Sequence, residues 1–528
     1  MDRWVRRARA ARVPLLLLGA GALLRLRQYA ADRSLWHDEA SLALNLVERG
    51  FAGLLEPLDY DQAAPPGFLW LVEAATRVFG TGESALRLVP LLFGLASLPL
   101  FDAVARGCLR PPGRLLALAL FALSEPLVYY AAETKQYAGD VVFGLALLGL
   151  ALRVAGEGAD GRRLWSLGVL GGVAPWFSHA SVFVLAGIGV GLGVPALRAR
   201  RWGVVARLAA VGVVWTASFG VLWVLFFGDV ASNPWLHRYW AFAFPPLPPT
   251  AVADLLWLPN SLLGFLGGAA GLRPPPLTLG LLAVGAVALG RTRPQAAALL
   301  GLPALAALVA AGLELYPFFH RFLLFLVPAA VVFVAQGAEQ LARLLAPRSR
   351  ALAVACLVVA LLWPVAHAAR RVFEPVRGGH IRPVLAYVAE RAQPDDLLWI
   401  FWGATPQFRY YAPRLGLQRF EWVQSQHPYQ RRVPRGRWRS WAEREAARLR
   451  GRGRVWLVFS TVLNVGPNSA EERMLGWVDF SAQRLDEVER PGAAAYLYHF
   501  PDGAPASPPA DQSTYPGARS RSWVGPSA

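Results

Sequence analysis

Along about 370 positions from the N-terminus, apolar residues run in blocks of roughly 18–22, and the turns between the blocks carry arginine. That texture predicts a chain that crosses a bilayer repeatedly. The first apolar run, Val13 to Leu24, follows a segment bearing Arg3, Arg6, Arg7, Arg9 and Arg12. Two readings are open for it, a cleavable signal peptide and a retained helix. No clean small-x-small cleavage site follows, and Arg25 and Arg27 can snorkel to an interface, which favours the helix. Further spans are expected near residues 84–107, 113–131, 136–154, 164–176, 180–197, 203–227, 277–290, 295–313, 318–342 and 351–370. Together they make about eleven crossings.

With a cytoplasmic N-terminus, Arg110, Arg114, Arg162, Arg163, Arg200, Arg201, Arg291, Arg293 and Arg348 fall on one side, as the positive-inside rule requires. Glu133 to Lys135 and the turn Trp176-Phe177-Ser178-His179 fall on the other. The stretch Leu255 to Leu272 reads as re-entrant or interfacial, because one more crossing there would put Arg291 and Arg293 outside. Between the first two spans, Ala40 to Glu48 reads as a short helix along the membrane surface. Asp61 to Gly67 then forms a turn before a half-apolar helix through Phe79. The outer loop Asn233 to Pro249 is rich in aromatics, among them Trp235, Tyr239 and Trp240. They either anchor the interface or form a lid over a lipid substrate.

From about residue 375 the period changes. Val384 to Val388 reads as helix, while Leu397–Phe401, Val455–Phe459 and Ala495–His499 read as buried strands. Strands interleaved with helical stretches predict a small α/β domain. The fold class is therefore mainly α, a polytopic membrane protein with a C-terminal extracytoplasmic α/β domain. Its expected parts are a membrane domain over 1–372, the α/β domain over 373–502 and a disordered tail over 503–528, rich in Pro, Ser and Gly.

Composition sharpens this picture in two places. The 528 residues are 55% hydrophobic and 17% charged, with a formal net charge of +18. A nucleic-acid partner is not implied, because the arginines mark loops between apolar blocks. Among 53 basic residues Lys135 is the sole lysine, which makes it a position to weigh. The two cysteines, Cys108 and Cys356, offer neither a disulfide framework nor metal-ligand spacing.

Charges near hydrocarbon cost about 2.5–3.5 kcal/mol each at a helix centre, less at helix ends. On the predicted outer side the polar residues are His37, Asp38, Glu39, Gln62, Glu133, Lys135, Tyr137, Asp140, His179, His320 and Arg321. On the inner side they are mostly arginine, which topology already explains. Asp38 and Glu39 are adjacent, so on a helix they point about 100° apart and cannot form a facing pair. Glycoside hydrolysis wants two facing carboxylates. Transfer from a phosphate-linked sugar needs one base for the acceptor hydroxyl and cations for the departing phosphate. Asp38 with Lys135, His320 and Arg321 supplies such a set. The plainer alternative is helix capping by Asp38 and an interfacial ion pair between Glu133 and Lys135.

Leu24-Arg25 followed by Ser34-Leu35-Trp36-His37-Asp38-Glu39-Ala40 resembles the first outer loop of GT-C glycosyltransferases. More narrowly it resembles the bacterial family-39-like proteins, related to protein O-mannosyltransferases and the lipid A aminoarabinose transferase. Gln62-Ala63-Ala64-Pro65-Pro66-Gly67-Phe68 is similar to their Pro-Pro turn before the second span. Leu123 to Tyr130, with Glu133-Thr134-Lys135-Gln136-Tyr137 and Asp140, is similar to their second outer loop, and Tyr316 to Phe322 to a late motif. The resemblance covers roughly residues 20–345 and is densest over 24–140. Glu125 departs from it, since the group commonly carries Pro there, and no role passes to that residue.

The resemblance implies a polyprenyl-phosphate-sugar donor, an extracytoplasmic site in a bacterial plasma membrane, and inversion in a single displacement. It implies that Asp38, beside Glu39, is the catalytic base. His37, Gln62, Glu133, Lys135, Tyr137, His320 and Arg321 become candidates for binding substrate. A divalent metal stays open, for some of these enzymes need one; the only candidate ligands are Asp38, Glu39, Glu133 and His179. The acceptor, whether glycolipid, polysaccharide or protein, is not legible. A lipid transporter or flippase would call for polar or broken helices at mid-membrane, whereas these spans are smooth and apolar. A catalytically silent lipid-binding relative shares every feature named above.

Overall fold

The computed structural model describes residues 2–158, 160–228, 233–426, 437–462 and 469–501. The expected tail, 503–528, lies outside the described residues. The chain forms two compact units. One comprises residues up to Ala31 together with Arg49–Val376; the other comprises Asp32–Glu48 together with the chain from Arg377. Residues 32–48, which sequence reasoning leaves in the membrane half, thus belong with the C-terminal unit.

The first unit is a helical membrane unit. Among the described residues seven helices are long and apolar enough to cross a bilayer: Glu83–Cys108, Tyr137–Gly156, Ser181–Arg198, Trp202–Phe226, Pro275–Thr292, Pro294–Gly312 and His320–Leu345. Helices Asp2–Tyr29, Pro111–Ala122, Gly161–Val173 and Arg350–Phe373 occupy the remaining expected positions. Length and composition therefore support seven crossings and leave the other four helices outside that set. Helices suit this environment because each satisfies its own backbone hydrogen bonds where no water is available.

His320–Leu345 is the central span, with 94% of its apolar window buried. It crosses Pro275–Thr292 at a glycine pair. A Cβ on Gly337 would lie 1.9 Å from the Leu281 carbonyl oxygen, and one on Gly285 1.8 Å from that of Phe333. Only hydrogen fits at either position, so the two backbones meet directly, in the manner of small-residue membrane interfaces. The stretch 255–272 is broken: a helix Trp257–Gly264 passes into a π-helical turn, Phe265–Ala269, whose residues are buried.

The second unit is α/β. Five strands, β1 (Leu397–Ile400), β2 (Trp422–Gln424), β3 (Gly453–Ser460), β4 (Gln483–Arg490) and β5 (Ala493–Phe500), form one sheet in the order β2-β1-β3-β5-β4. β1 is parallel to both β2 and β3, while β5 runs antiparallel to β3 and to β4. After β1 the chain moves outward to β2, then returns to the other side of β1 as β3. The strand order therefore reverses between β1 and β3. The core carries Trp399, Phe401, Trp456 and Phe459, all buried. The indole N–H of Trp399 reaches Glu445 at 3.0 Å, and that of Trp456 reaches Asp396 at 3.1 Å. Neither buried N–H is left without an acceptor.

Helix His37–Glu48 corrects an expectation. Rather than lying along a membrane surface, it is buried from Glu39 to Leu46 and packs on helix Thr405–Leu415. Its apolar residues Ala40, Leu42, Ala43, Leu44 and Leu46 cover several sides of the helix, too many for a one-sided surface helix.

Candidate functional site

In the α/β unit, residues 32–39 are fixed from both sides. The Leu35 N–H donates to the Tyr411 hydroxyl at 2.8 Å, and the Gln407 amide donates to the Leu35 carbonyl at 2.8 Å. The Ser34 hydroxyl lies 3.0 Å from His380 Nδ1 and accepts the Arg382 N–H at 3.0 Å. Burial, aided by Arg377, Arg382 and Arg490 and opposed by Asp32, pulls the His380 imidazolium down to about 4. The ring is neutral at physiological pH, and its bare Nδ1 accepts the Ser34 proton.

His37 opens the helix. Its Nδ1 sits 2.9 Å from the Gly403 carbonyl oxygen, so Nδ1 carries the proton, and its ring meets Trp402 edge-on at 5.7 Å. Asp38 and Glu39 occupy the first turn, where the positive end of the helix dipole favours carboxylates. Their surroundings differ. Glu39 is fully buried, 2.6 Å from the Arg33 guanidinium, and it also accepts the Trp36 N–H at 3.4 Å. Asp38 is half-buried. Of the two, Asp38 is the one with a solvent-facing fraction from which to take a proton.

In the membrane unit a second group of the expected residues comes together. The turn after helix Glu125–Tyr130 folds back so that the whole run from Pro126 to Val141 is buried. Lys135 Nζ donates to the Gln62 amide oxygen, and the Gln62 amide in turn donates to the Tyr60 carbonyl at 3.0 Å. Glu133, two residues earlier, is wholly buried and receives the Lys135 N–H on its carbonyl at 2.7 Å. The Tyr130 ring meets Tyr137 edge-on at 5.3 Å, and Tyr137 meets Phe322 at 6.3 Å.

Arg321 is set among aromatic faces. Its guanidinium carbon is 5.6 Å from the Trp240 centroid, 5.7 Å from Phe322 and 6.0 Å from Tyr137. Trp240, from the aromatic loop, meets Phe322 edge-on at 5.0 Å. His320 adopts φ +40°, a left-handed conformation uncommon for a non-glycine residue, at the start of the turn that presents Arg321. Gln62 also borders a cavity of about 150 Å³ whose lining includes Leu54, Asp61, Leu69, Phe226 and Asn233.

Two other residues have structural partners. Asp140 accepts the Ser178 hydroxyl at 2.6 Å, tying its helix to the turn before Ser181–Arg198. Glu125 is held by Arg371 and, at 2.8 Å, by His367 Nδ1, both on helix Arg350–Phe373. Among the described residues no group of three or more His, Cys, Asp and Glu side chains is placed to hold a metal ion. Glu39, one of the candidate ligands, is already engaged by Arg33. Sequence reasoning did not find Arg33, His380, Gln407 or Tyr411. The last three are hundreds of residues from Asp38, and no local pattern marks them.

No family model matches the chain, and no curated protein matches it. Among solved structures, the chain is similar to the apo form of ArnT from Cupriavidus metallidurans, at 15% identity and a TM-score of 0.49 over 92% of this chain and 97% of that one. The same protein bound to undecaprenyl phosphate gives 14% identity and a TM-score of 0.48 over 94% and 98%. The oligosaccharyltransferase AglB from Archaeoglobus fulgidus, in complex with an inhibitory peptide and a dolichol-phosphate, gives 12% and 0.49 over 92% and 74%.

Proposed function

We propose that this protein is an inverting glycosyltransferase of the plasma membrane, moving a sugar from a polyprenyl-phosphate donor to an acceptor hydroxyl on the extracytoplasmic side. The observation that carries this reading is the setting of Lys135. The chain's sole lysine is buried within an apolar helical unit and held by Gln62, with buried Glu133 two residues earlier and the Arg321 guanidinium 6.0 Å from the ring of Tyr137 two residues later. Cations kept at such depth suit a lipid-borne phosphate better than a soluble anion. The sequence motifs over residues 24–140 support the same reading.

In the reaction, the acceptor oxygen forms a bond to the anomeric carbon as the carbon–oxygen bond to phosphate breaks. The bonding pair leaves with the polyprenyl phosphate, whose added charge Lys135 and Arg321 offset. The acceptor proton passes to the Asp38 carboxylate. Glu39, engaged by Arg33, keeps the first turn in place. His37, Gln62, Tyr137 and His320 hold substrate or its supports. One attack on one face inverts the anomeric centre.

The test is reconstitution. Purified protein in liposomes is given a panel of undecaprenyl-phosphate sugars and the extracted envelope glycolipids and proteins of its host as acceptors. Release of undecaprenyl phosphate coupled to labelled product is expected with at least one donor. Movement of labelled lipid between leaflets with no covalent product would instead identify a flippase.

A further inference from the structure

In open α/β sheets, ligands usually enter the crevice outside the carboxyl ends of parallel strands, at the point where strand order reverses. Here that point lies between β1 and β3, and the chain's own residues 35–37 occupy it. Past the end of β1, the Gly403 carbonyl takes His37 Nδ1. A Cβ on Gly403 would come within 3.1 Å of the Ser460 and Thr461 carbonyl oxygens at the end of β3, so this turn is drawn hard against the strand. Gln407, in the first turn of the following helix, holds the Leu35 carbonyl, while Tyr411, one helical turn on, holds the Leu35 N–H. Both side chains are buried, and the other end of the Gln407 amide lies 3.5 Å from the Thr461 hydroxyl.

Resting on the function proposed above, we infer that the α/β unit is a positioning device for the base: its switch-point crevice binds Leu35–His37 as an internal ligand and thereby fixes Asp38, with Gln407 and Tyr411 as positioning residues. Asp38 sits three residues beyond Leu35, at the first turn of a helix whose entry is set by these bonds. Releasing the Leu35 N–H frees the segment that leads into that turn. The carboxylate keeps its chemistry and loses its fixed place. A misplacement near 1 Å can lower a rate about 100-fold.

The experiment compares Tyr411→Phe, which removes only the accepting hydroxyl, with Gln407→Glu, which keeps shape but cannot donate to the Leu35 carbonyl. Full-length protein in detergent is followed by hydrogen exchange of residues 33–40, by binding of undecaprenyl phosphate, and by sugar transfer. Each variant should exchange faster over 33–40 while β1 and β3 stay protected. Undecaprenyl phosphate affinity should stay within about twofold and kcat should fall about 10- to 100-fold. In an Asp38→Asn background, adding Tyr411→Phe should slow transfer no further, since the two act through one group. Faster exchange with wild-type turnover overturns the inference. So does unchanged protection over 33–40, or a double variant slowed by the full factor of the single. Wild-type protein that transfers no sugar from any donor sinks the functional reading itself, and the positioning role with it.

Discussion

Arg33 and Glu39, six residues apart, form an ion pair at 2.6 Å with side chains only 1% and 0% exposed. The pair closes the turn into helix His37–Glu48 on itself and takes the Glu39 carboxylate out of solvent. It leaves Asp38 as the carboxylate of this turn that keeps access to water.

This contrast separates the two acids by experiment. Asp38→Asn should lower sugar transfer about 100- to 10,000-fold, the usual loss of a general base, with little change in thermal stability. Glu39→Gln should do the reverse. Stranding a buried guanidinium costs about 3–5 kcal/mol, so that variant should melt early and lose transfer in proportion to folded protein. Thermal unfolding beside the transfer assay reads both. Full activity in Asp38→Asn would reduce Asp38 to a helix-start residue.

Lys135 presents a compact ammonium to Gln62, and arginine is not its equivalent. Lys135→Arg should raise the donor KM about tenfold, because the broader planar head does not fit where one amide oxygen receives Nζ. Lys135→Ala should abolish detectable undecaprenyl phosphate binding while the protein still accumulates in the membrane. Equal binding by all three proteins would leave Lys135 with a packing role only.

The crossing of the central span predicts a sharp difference between glycines. Gly337→Ala places a methyl against the Leu281 carbonyl and should cost about 1–3 kcal/mol as the helices part. Gly290→Ala, on the partner helix, meets nothing within 4 Å and should be neutral or slightly stabilising. Melting midpoints in detergent check the pair, and equal midpoints would mean that the helices do not meet at these glycines.

His380 gives the α/β unit an acid limit. Its folded value, about 4, lies below the ordinary 6.5, so the unfolded chain binds the proton first. The contribution is complete above pH 6.5 and is lost as pH falls from 6.5 towards 4. The loss should amount to about 1 kcal/mol for a half-exposed, solvent-screened ring. Melting of the wild-type protein should fall over that interval, and His380→Gln should flatten the fall. An unchanged slope would remove the ring from the acid response.

Orientation can be checked on intact cells. In a background lacking Cys108 and Cys356, an impermeant thiol reagent should label Glu56→Cys and not Arg110→Cys, both at exposed positions. The opposite pattern would invert the topology and move the proposed chemistry to the cytoplasmic face.

The helices were legible because membrane spans announce themselves as long apolar blocks, and seven places combine enough length with enough apolarity. The strands were partly legible. β1, β3 and β5 read as buried apolar runs, and all three extend or end within a few residues of expectation. β4 was missed because Gln483–Arg490 is a charged, mostly exposed edge strand, the kind of sequence that discourages further pairing. β2 has only three residues. At the candidate site, Lys135 and Gln62 were each visible as polar residues in apolar surroundings. The partnership of Leu35 with Gln407 and Tyr411 was invisible, since contacts across such separations follow from tertiary packing and leave no local period. Glu39 was visible, but its capture by Arg33 depends on how the turn closes.

Leu35 and the Tyr411 that holds it are 376 positions apart. At roughly 5–20 residues per second, the ribosome completes the second about 20–75 seconds after the first. For nearly all of that interval the segment 32–48, apolar on several sides, lacks the helix Thr405–Leu415 on which it packs. A nascent chain must therefore carry it unpaired through the insertion of every later span. Chaperones that handle emerging membrane proteins have one defined stretch here to shield. A chain that terminates before Thr405 leaves that stretch without the helix that covers it.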